Sequence, residues 1–290
     1  MRTGETSLPG IREEIPSRER AETGGGGLCL VLGAGGFRGL AHAGVLKALG
    51  QAGVRIRSII GSSIGGLVAL YYAGLGIGPE RIAQGFIEAG ASSLLAAGLA
   101  LRGWGDPVSR NARDRARPIL EGLARLVEIR SGVLHYGIER VGVLALDLPT
   151  GEEIFASTGS PSRVPLPELA RGGASLPLLF PSVKVVTANR TFRLVDGGLS
   201  RSVPVERGFA PPFSADTVLA VDLRVRRGFR ELGATRWDRL VREHGDALIR
   251  LRLPVQGTGT VTLGRGEGQA LVRIGEAAVD SKILDRLGRR

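Results

Sequence analysis

Residues 61–65 read Gly61-Ser62-Ser63-Ile64-Gly65, and of the two serines only Ser63 has a glycine two positions before it and another two positions after it. That spacing suits a nucleophile at the apex of a tight strand-to-helix turn, where flanking Cβ atoms would collide with the returning chain. A serine held there can attack a carbonyl carbon if a base takes its proton and N–H donors receive the oxyanion. Three histidines, His42, His135 and His244, are available as bases. The order Ser63, Asp196, His244 would match a hydrolase triad. Asp196-Gly197-Gly198 offers a second route, because it follows the apolar run Phe192-Arg193-Leu194-Val195 and so sits at an expected strand end. A carboxylate beside a serine can itself be the base when partial desolvation raises its pKa. The residues alone leave both routes open.

The oxyanion donors have a candidate in Ala34-Gly35-Gly36-Phe37-Arg38-Gly39, a glycine loop between an apolar run and a helix-like segment. Exposed main-chain amides at a helix start can meet a developing negative charge. The competing dinucleotide fingerprint fails, since Gly33-Ala34-Gly35 fits its first three positions but the sixth falls on Arg38. No Gly-Lys-Ser/Thr follows, which excludes a P-loop, and no histidine–carboxylate cluster has metal-ligand spacing. The expectation is chemistry without metal or cofactor.

These residues need elements to position them. Leu28–Leu32 and Ile56–Ile60 are continuous apolar runs, as in strands buried on both faces, and helix-like segments follow them over Leu40–Ala52 and from the Ser63 turn to Gly74. Further strands are expected over Val141–Leu146, Glu153–Ser157, Val183–Thr187, Thr191–Val195 and Thr217–Leu223. Strand, glycine turn, helix, strand is the pattern of an α/β fold with a mostly parallel, helix-covered sheet. Residues 58–79 run without a charge between Arg57 and Glu80, long enough for a membrane span. The glycines and serines clustered at one end, behind β-branched Ile59-Ile60, favour a strand, a turn and a buried helix instead. Residues 86–135 read as a variable helical insertion or cap, apolar over Ala89–Leu101 and then arginine-dense. After Leu223 the sequence reads as basic and irregular until a helix over Glu267–Leu287.

The 290 residues carry a formal charge of +11, almost all from arginine, which fits either a coding bias or a surface that seeks anions. Aromatics are only 4%, with no stacking motif, so nucleic acid is not an expected partner. The single cysteine, Cys29, excludes an intrachain disulfide framework and suits a reducing compartment. Residues 1–26 are polar with charges of both signs and end in glycines, which predicts a flexible arm rather than a signal peptide or anchor.

Taken together, "LVLGAGGFRGLAHAGVLKALGQAGVRIRSIIGSSIGGLVALYYAGL" and "RLVDGGLSRSVPV" resemble the patatin-like phospholipase family in its bacterial single-domain form. The resemblance extends through "LALDLPTGEEIFASTG" and "GASLPLLFPSV", covers about residues 27–225, and echoes weakly in "ALVRIGEAAV". It implies a three-layer α/β/α domain over residues 27–290 and a Ser–Asp dyad with no catalytic histidine. Carried over, Ser63 is the nucleophile and Asp196 the base. The amides of Gly35 and Gly36, with Arg38 nearby, form the oxyanion hole, and Gly61, Gly65, Gly197 and Gly198 are the motif glycines. Two positions depart from the family pattern: Ala34 where a glycine is usual, and Ser202 where asparagine often precedes Val-Pro. The implied activity is lipid acyl hydrolysis of the phospholipase A or lysophospholipase type, with a phospholipid or lysophospholipid substrate and no cofactor. An anionic membrane surface is the further partner, at a cytoplasmic location that includes the inner face of the membrane. Two rivals stand beside it, a general carboxylesterase and a non-catalytic lipid-binding regulator that keeps the fold.

Overall fold

The computed structural model describes residues 26–101, 134–177, 180–223, 234–256, 258, 263–264 and 266–288. The expected arm, residues 1–26, lies outside the described residues except for Gly26, as does the arginine-dense part of the insertion, 102–133. The chain runs β1 (Leu28–Leu32), α1 (Leu40–Gln51), β2 (Ile56–Ser62), α2 (Ile64–Ala69), α3 (Pro79–Leu101), β3 (Arg140–Asp147) and β4 (Glu152–Ser157). It continues through α4 (Leu166–Gly173), β5 (Val183–Val186), β6 (Thr191–Asp196), α5 (Val205–Phe209), β7 (Thr217–Asp222), α6 (Ala234–His244), β8 (Leu248–Arg252), α7 (Glu267–Ala278) and α8 (Ser281–Gly288).

Among the described residues eight strands form one sheet that holds the fold. Strands β3, β2, β1, β7 and β8 lie side by side in parallel, and β4, β5 and β6 add antiparallel pairings beyond β3. Alternate side chains of each strand point to opposite faces. Leu28, Leu30 and Leu32 therefore join one core with α1, α2, α3 and α7. Cys29 and Val31 join a smaller core with Val203, Val205, Phe213, Trp237 and Leu240. Burial on both faces explains why β1 and β7 are apolar at nearly every position. The three-layer α/β/α architecture expected from the sequence is the one found.

The charge-free stretch 58–79 resolves into the end of β2, the Ser63 turn, α2 and a π-helical turn at Leu70–Gly74. Among the described residues no helix is long and apolar enough to cross a membrane. Several elements depart from the sequence reading. The region after Leu223 contains α6 and β8, and the expected closing helix is two helices broken at Val279-Asp280. Asp280 Oδ1 accepts the Ile283 amide at 2.9 Å and so caps the second. The short helix α4 was also unexpected.

Helix α7 lies directly on α1. A Cβ at Gly44 would stand 2.0 Å from the Val272 oxygen, and one at Gly275 would stand 1.9 Å from the Ala41 oxygen. Backbone is thus packed against backbone, with no room for a methyl group. Gly275→Ala is expected to destabilise the protein by about 1–3 kcal/mol through overpacking, read as a lower urea midpoint. An unchanged midpoint would show that α7 is not seated as described.

Candidate active site

Strand β3 brings the two chemical residues together. One of its edges carries β4 from Gly142 to Asp147. The other edge is shared end to end. Strand β2 runs parallel to β3 and finishes with Ser62 opposite Leu144. Strand β6 arrives antiparallel and finishes with Asp196 opposite Ala145. Leu144 and Ala145 are consecutive, so two strands running in opposite directions stop head to head. Just past that junction, Ser63 Oγ donates to Asp196 Oδ2 at 2.6 Å.

Ser63 holds φ 54° and ψ −127°, a conformation that costs a non-glycine residue about 1–3 kcal/mol. The turn is tight because β2 must reverse directly into α2. A Cβ at Gly61 would lie 2.2 Å from the Gly65 oxygen, and a Cβ at Gly65 would lie 2.3 Å from the Leu32 oxygen. The two motif glycines are therefore required by contact with the chain itself.

Asp196 is 4% exposed. Its Oδ1 accepts the Gly198 amide at 2.7 Å, and its own amide donates to the Ser175 oxygen at 3.0 Å. Burial pushes its pKa up, and the bonds from Ser63 and Gly198 offset only part of that rise. The carboxylate is consequently a stronger proton acceptor than a solvated one.

The glycine loop lies against the same junction. A Cβ on Gly198 would sit 2.6 Å from Ala34 Cβ and 3.6 Å from Ser63 Cβ. The Ala34 amide donates to the Ser202 oxygen at 2.7 Å, and the Arg38 amide to the Gly35 oxygen at 3.3 Å. The amides of Gly35 and Gly36 donate to no protein acceptor among the described residues. Arg38 directs its Nε and Nη2 to the Thr258 oxygen at 3.2 and 2.8 Å. Its side chain thus anchors the loop to Thr258. The buried side chains of Phe37, Leu40, Ile64, Val68, Ile82 and Phe86 pack beside Gly36 and leave a cavity of only about 10 Å³.

None of the histidines is hydrogen bonded to Ser63. His42 is fully buried, its Nε2 donates to the Gly33 oxygen at 2.8 Å, and burial lowers its pKa to about 4, so the ring is neutral. His135 packs beside Gly76. His244 stacks on Phe209 with ring centroids 3.7 Å apart. Among the described residues no cluster of side chains could hold a metal ion.

The profile of the patatin-like phospholipase family matches residues 30–208, more than half of the chain. The chain belongs to the patatin-like phospholipase family. An uncharacterized NTE family protein of Mycobacterium tuberculosis is 33% identical over 204 residues, 69% of this chain and 31% of that protein. The chain thus spans about a third of the length of this relative. A lysophospholipase NTE1 of Coccidioides immitis is 57% identical over 44 residues, 15% of this chain and 3% of its own. VipD from Legionella pneumophila has a similar fold, with TM-score 0.52 at 13% identity, covering 91% of this chain and 67% of that one.

Within this patatin-like domain, sequence reasoning missed three contacts: the Ser175 carbonyl behind Asp196, the Ser202 carbonyl under Ala34, and the Arg201 carbonyl that accepts Ser62 Oγ at 2.8 Å. All three are main-chain acceptors, which carry no side-chain signature. The bond from Ser63 favours the ionised form of Asp196, so removing it must raise the carboxylate's pKa further. Carbon-13 NMR titration is expected to place the Asp196 midpoint above the ordinary value of about 3.9, and higher still in Ser63→Ala. A lower midpoint in Ser63→Ala would contradict the hydrogen bond as described.

Proposed function

We propose that this protein is a lipid acyl hydrolase in which Ser63 is the nucleophile and Asp196 its base. The observation that carries this reading is the 2.6 Å bond from Ser63 Oγ to a buried carboxylate oxygen. In the first step the Ser63 proton passes to Asp196 as Oγ attacks the ester carbonyl carbon. The oxygen of the resulting tetrahedral intermediate takes hydrogen bonds from the amides of Gly35 and Gly36. Collapse breaks the ester C–O bond, and Asp196 returns its proton to the departing alcohol. The acyl group is then esterified to Ser63. Asp196 next deprotonates a water, which attacks the acyl carbon. The second collapse releases the fatty acid, and Ser63 Oγ recovers the proton.

A single carboxylate thus serves as acid and base in both halves of the reaction. Burial supports this use, because a solvated aspartate is too weak a base to accept a serine proton efficiently. The substrate is proposed as a phospholipid or lysophospholipid. Family membership supports that choice, as does the lysophospholipase among the relatives.

Hydrolysis of p-nitrophenyl esters and of a phospholipid panel tests the reading and separates a phospholipase from a simple esterase. Ser63→Ala is expected to abolish both activities, and Asp196→Asn to lower them by about four orders of magnitude. Ser62→Ala loses one neutral hydrogen bond and should keep at least about a fifth of the activity. His244→Gln should keep at least about a tenth. An inactive but folded His244→Gln protein would restore the histidine triad and overturn the dyad.

A further inference from the structure

The segment that follows Asp196 reaches both halves of the site through its main chain. Ser62 Oγ donates to the Arg201 oxygen at 2.8 Å, and the Ala34 amide donates to the Ser202 oxygen at 2.7 Å. Ser62 immediately precedes the proposed nucleophile, and Ala34 opens the proposed oxyanion loop. The loop at Arg201–Val203 therefore sets where these two elements stand relative to each other and to Asp196. Main-chain carbonyls can do this only if the loop is itself held.

An ion network among the described residues holds it. Arg201 Nε donates to Glu153 Oε2 at 2.9 Å, and its Nη1 donates to Glu206 Oε1 at 3.1 Å. Arg207 Nη2 donates to the second oxygen of Glu153 at 2.9 Å. Arg236 grips Glu206 through Nε at 2.9 Å and Nη2 at 2.5 Å, and the same Nη2 donates to the Val203 oxygen at 2.7 Å. Glu153 is on β4, Glu206 on α5 and Arg236 on α6, so three elements converge on one short loop. An isolated exposed pair contributes little to stability, but here each glutamate bridges two arginines, and Glu153 is 15% exposed. At these positions arginines are used to fix the backbone, a use that neither a coding bias nor an anion-seeking surface describes.

We propose that Arg201 is a positioning residue: held by Glu153 and Glu206, it presents the carbonyls that align Ser62 and Ala34 around the reacting centre. The inference rests on the Ser63–Asp196 reading, and it adds a residue that touches no substrate. Misplacing reacting groups by about 1 Å can cost about a hundred-fold in rate, so loosening this loop must act on turnover.

The test is steady-state kinetics on a p-nitrophenyl ester, with active enzyme counted by fluorophosphonate titration of Ser63. Arg201→Ala is expected to lower kcat by about ten-fold while KM stays within about two-fold. Arg201→Lys, which keeps the charge but cannot engage both glutamates in the same fork, should recover to within about three-fold of the parent. Arg163→Ala, which removes an exposed arginine paired with Glu152, should leave kcat unchanged. If Arg201→Ala does not fold, Glu153→Gln carries the test, with an expected loss of about three-fold in kcat alone. Parental kcat in folded Arg201→Ala, or a loss that disappears once active sites are counted, overturns the positioning role and leaves the dyad standing. A parent protein that neither hydrolyses esters nor reacts with the fluorophosphonate overturns both.

Discussion

The site depends on the register of one strand. Leu144 and Ala145 of β3 stand opposite Ser62 and Asp196, and these partners belong to strands that approach from opposite ends. Because side chains alternate along a strand, a slip of one residue in either pairing would turn its partner to the other face. It would also separate a hydroxyl and a carboxylate that lie 2.6 Å apart. Strand β4, paired along the opposite edge of β3, helps to prevent that slip. So does burial, since Val141, Val143 and Ala145 belong to the larger core.

The rest of the fold carries the costs that this junction imposes. Ser63 is strained by about 1–3 kcal/mol, and Asp196 keeps a carboxylate away from water at a cost that its hydrogen bonds offset only in part. A sheet covered on both faces can sustain such local costs, because its core strands are buried throughout. The C-terminal part of the chain takes part in this. Strands β7 and β8 extend the sheet beyond the family match at residue 208, and α7 packs on α1, which follows the glycine loop. Residues outside the matched region therefore support the loop that faces Ser63.

Much of this was legible in the sequence where physics leaves a side-chain signature. The runs at Leu28–Leu32 and Thr217–Asp222 are apolar because both faces are covered, and the spacing of Gly61 and Gly65 reflects real collisions. What was hidden lacks such a signature. Among the described residues of helix α6 Trp237 and Leu240, three positions apart, are the buried apolar ones, and beside Arg236, Arg239 and Arg242 so short an apolar face is easily passed over. Strand β8 reads as basic because of Arg250 and Arg252, yet Arg250 pairs with the fully buried Asp222 at 2.6 Å and stacks on Trp237. The head-to-head meeting of β2 and β6 was invisible for a further reason. Two segments 133 residues apart are joined through their pairing with a third, and no local pattern encodes that.

On the proposed mechanism a buried carboxylate, with no histidine, activates Ser63. The most direct measurement is the rate of Ser63 inactivation by a fluorophosphonate as a function of pH, in the parent protein and in a variant with His42, His135 and His244 all changed to glutamine. The base must be ionised to act, so the rate should fall as pH drops through the raised pKa of Asp196, above the ordinary value of about 3.9. The same midpoint is expected in both proteins, with loss of the fast reaction in Asp196→Asn. A midpoint near the ordinary histidine value of about 6.5 that vanishes in the histidine-free variant would contradict the mechanism.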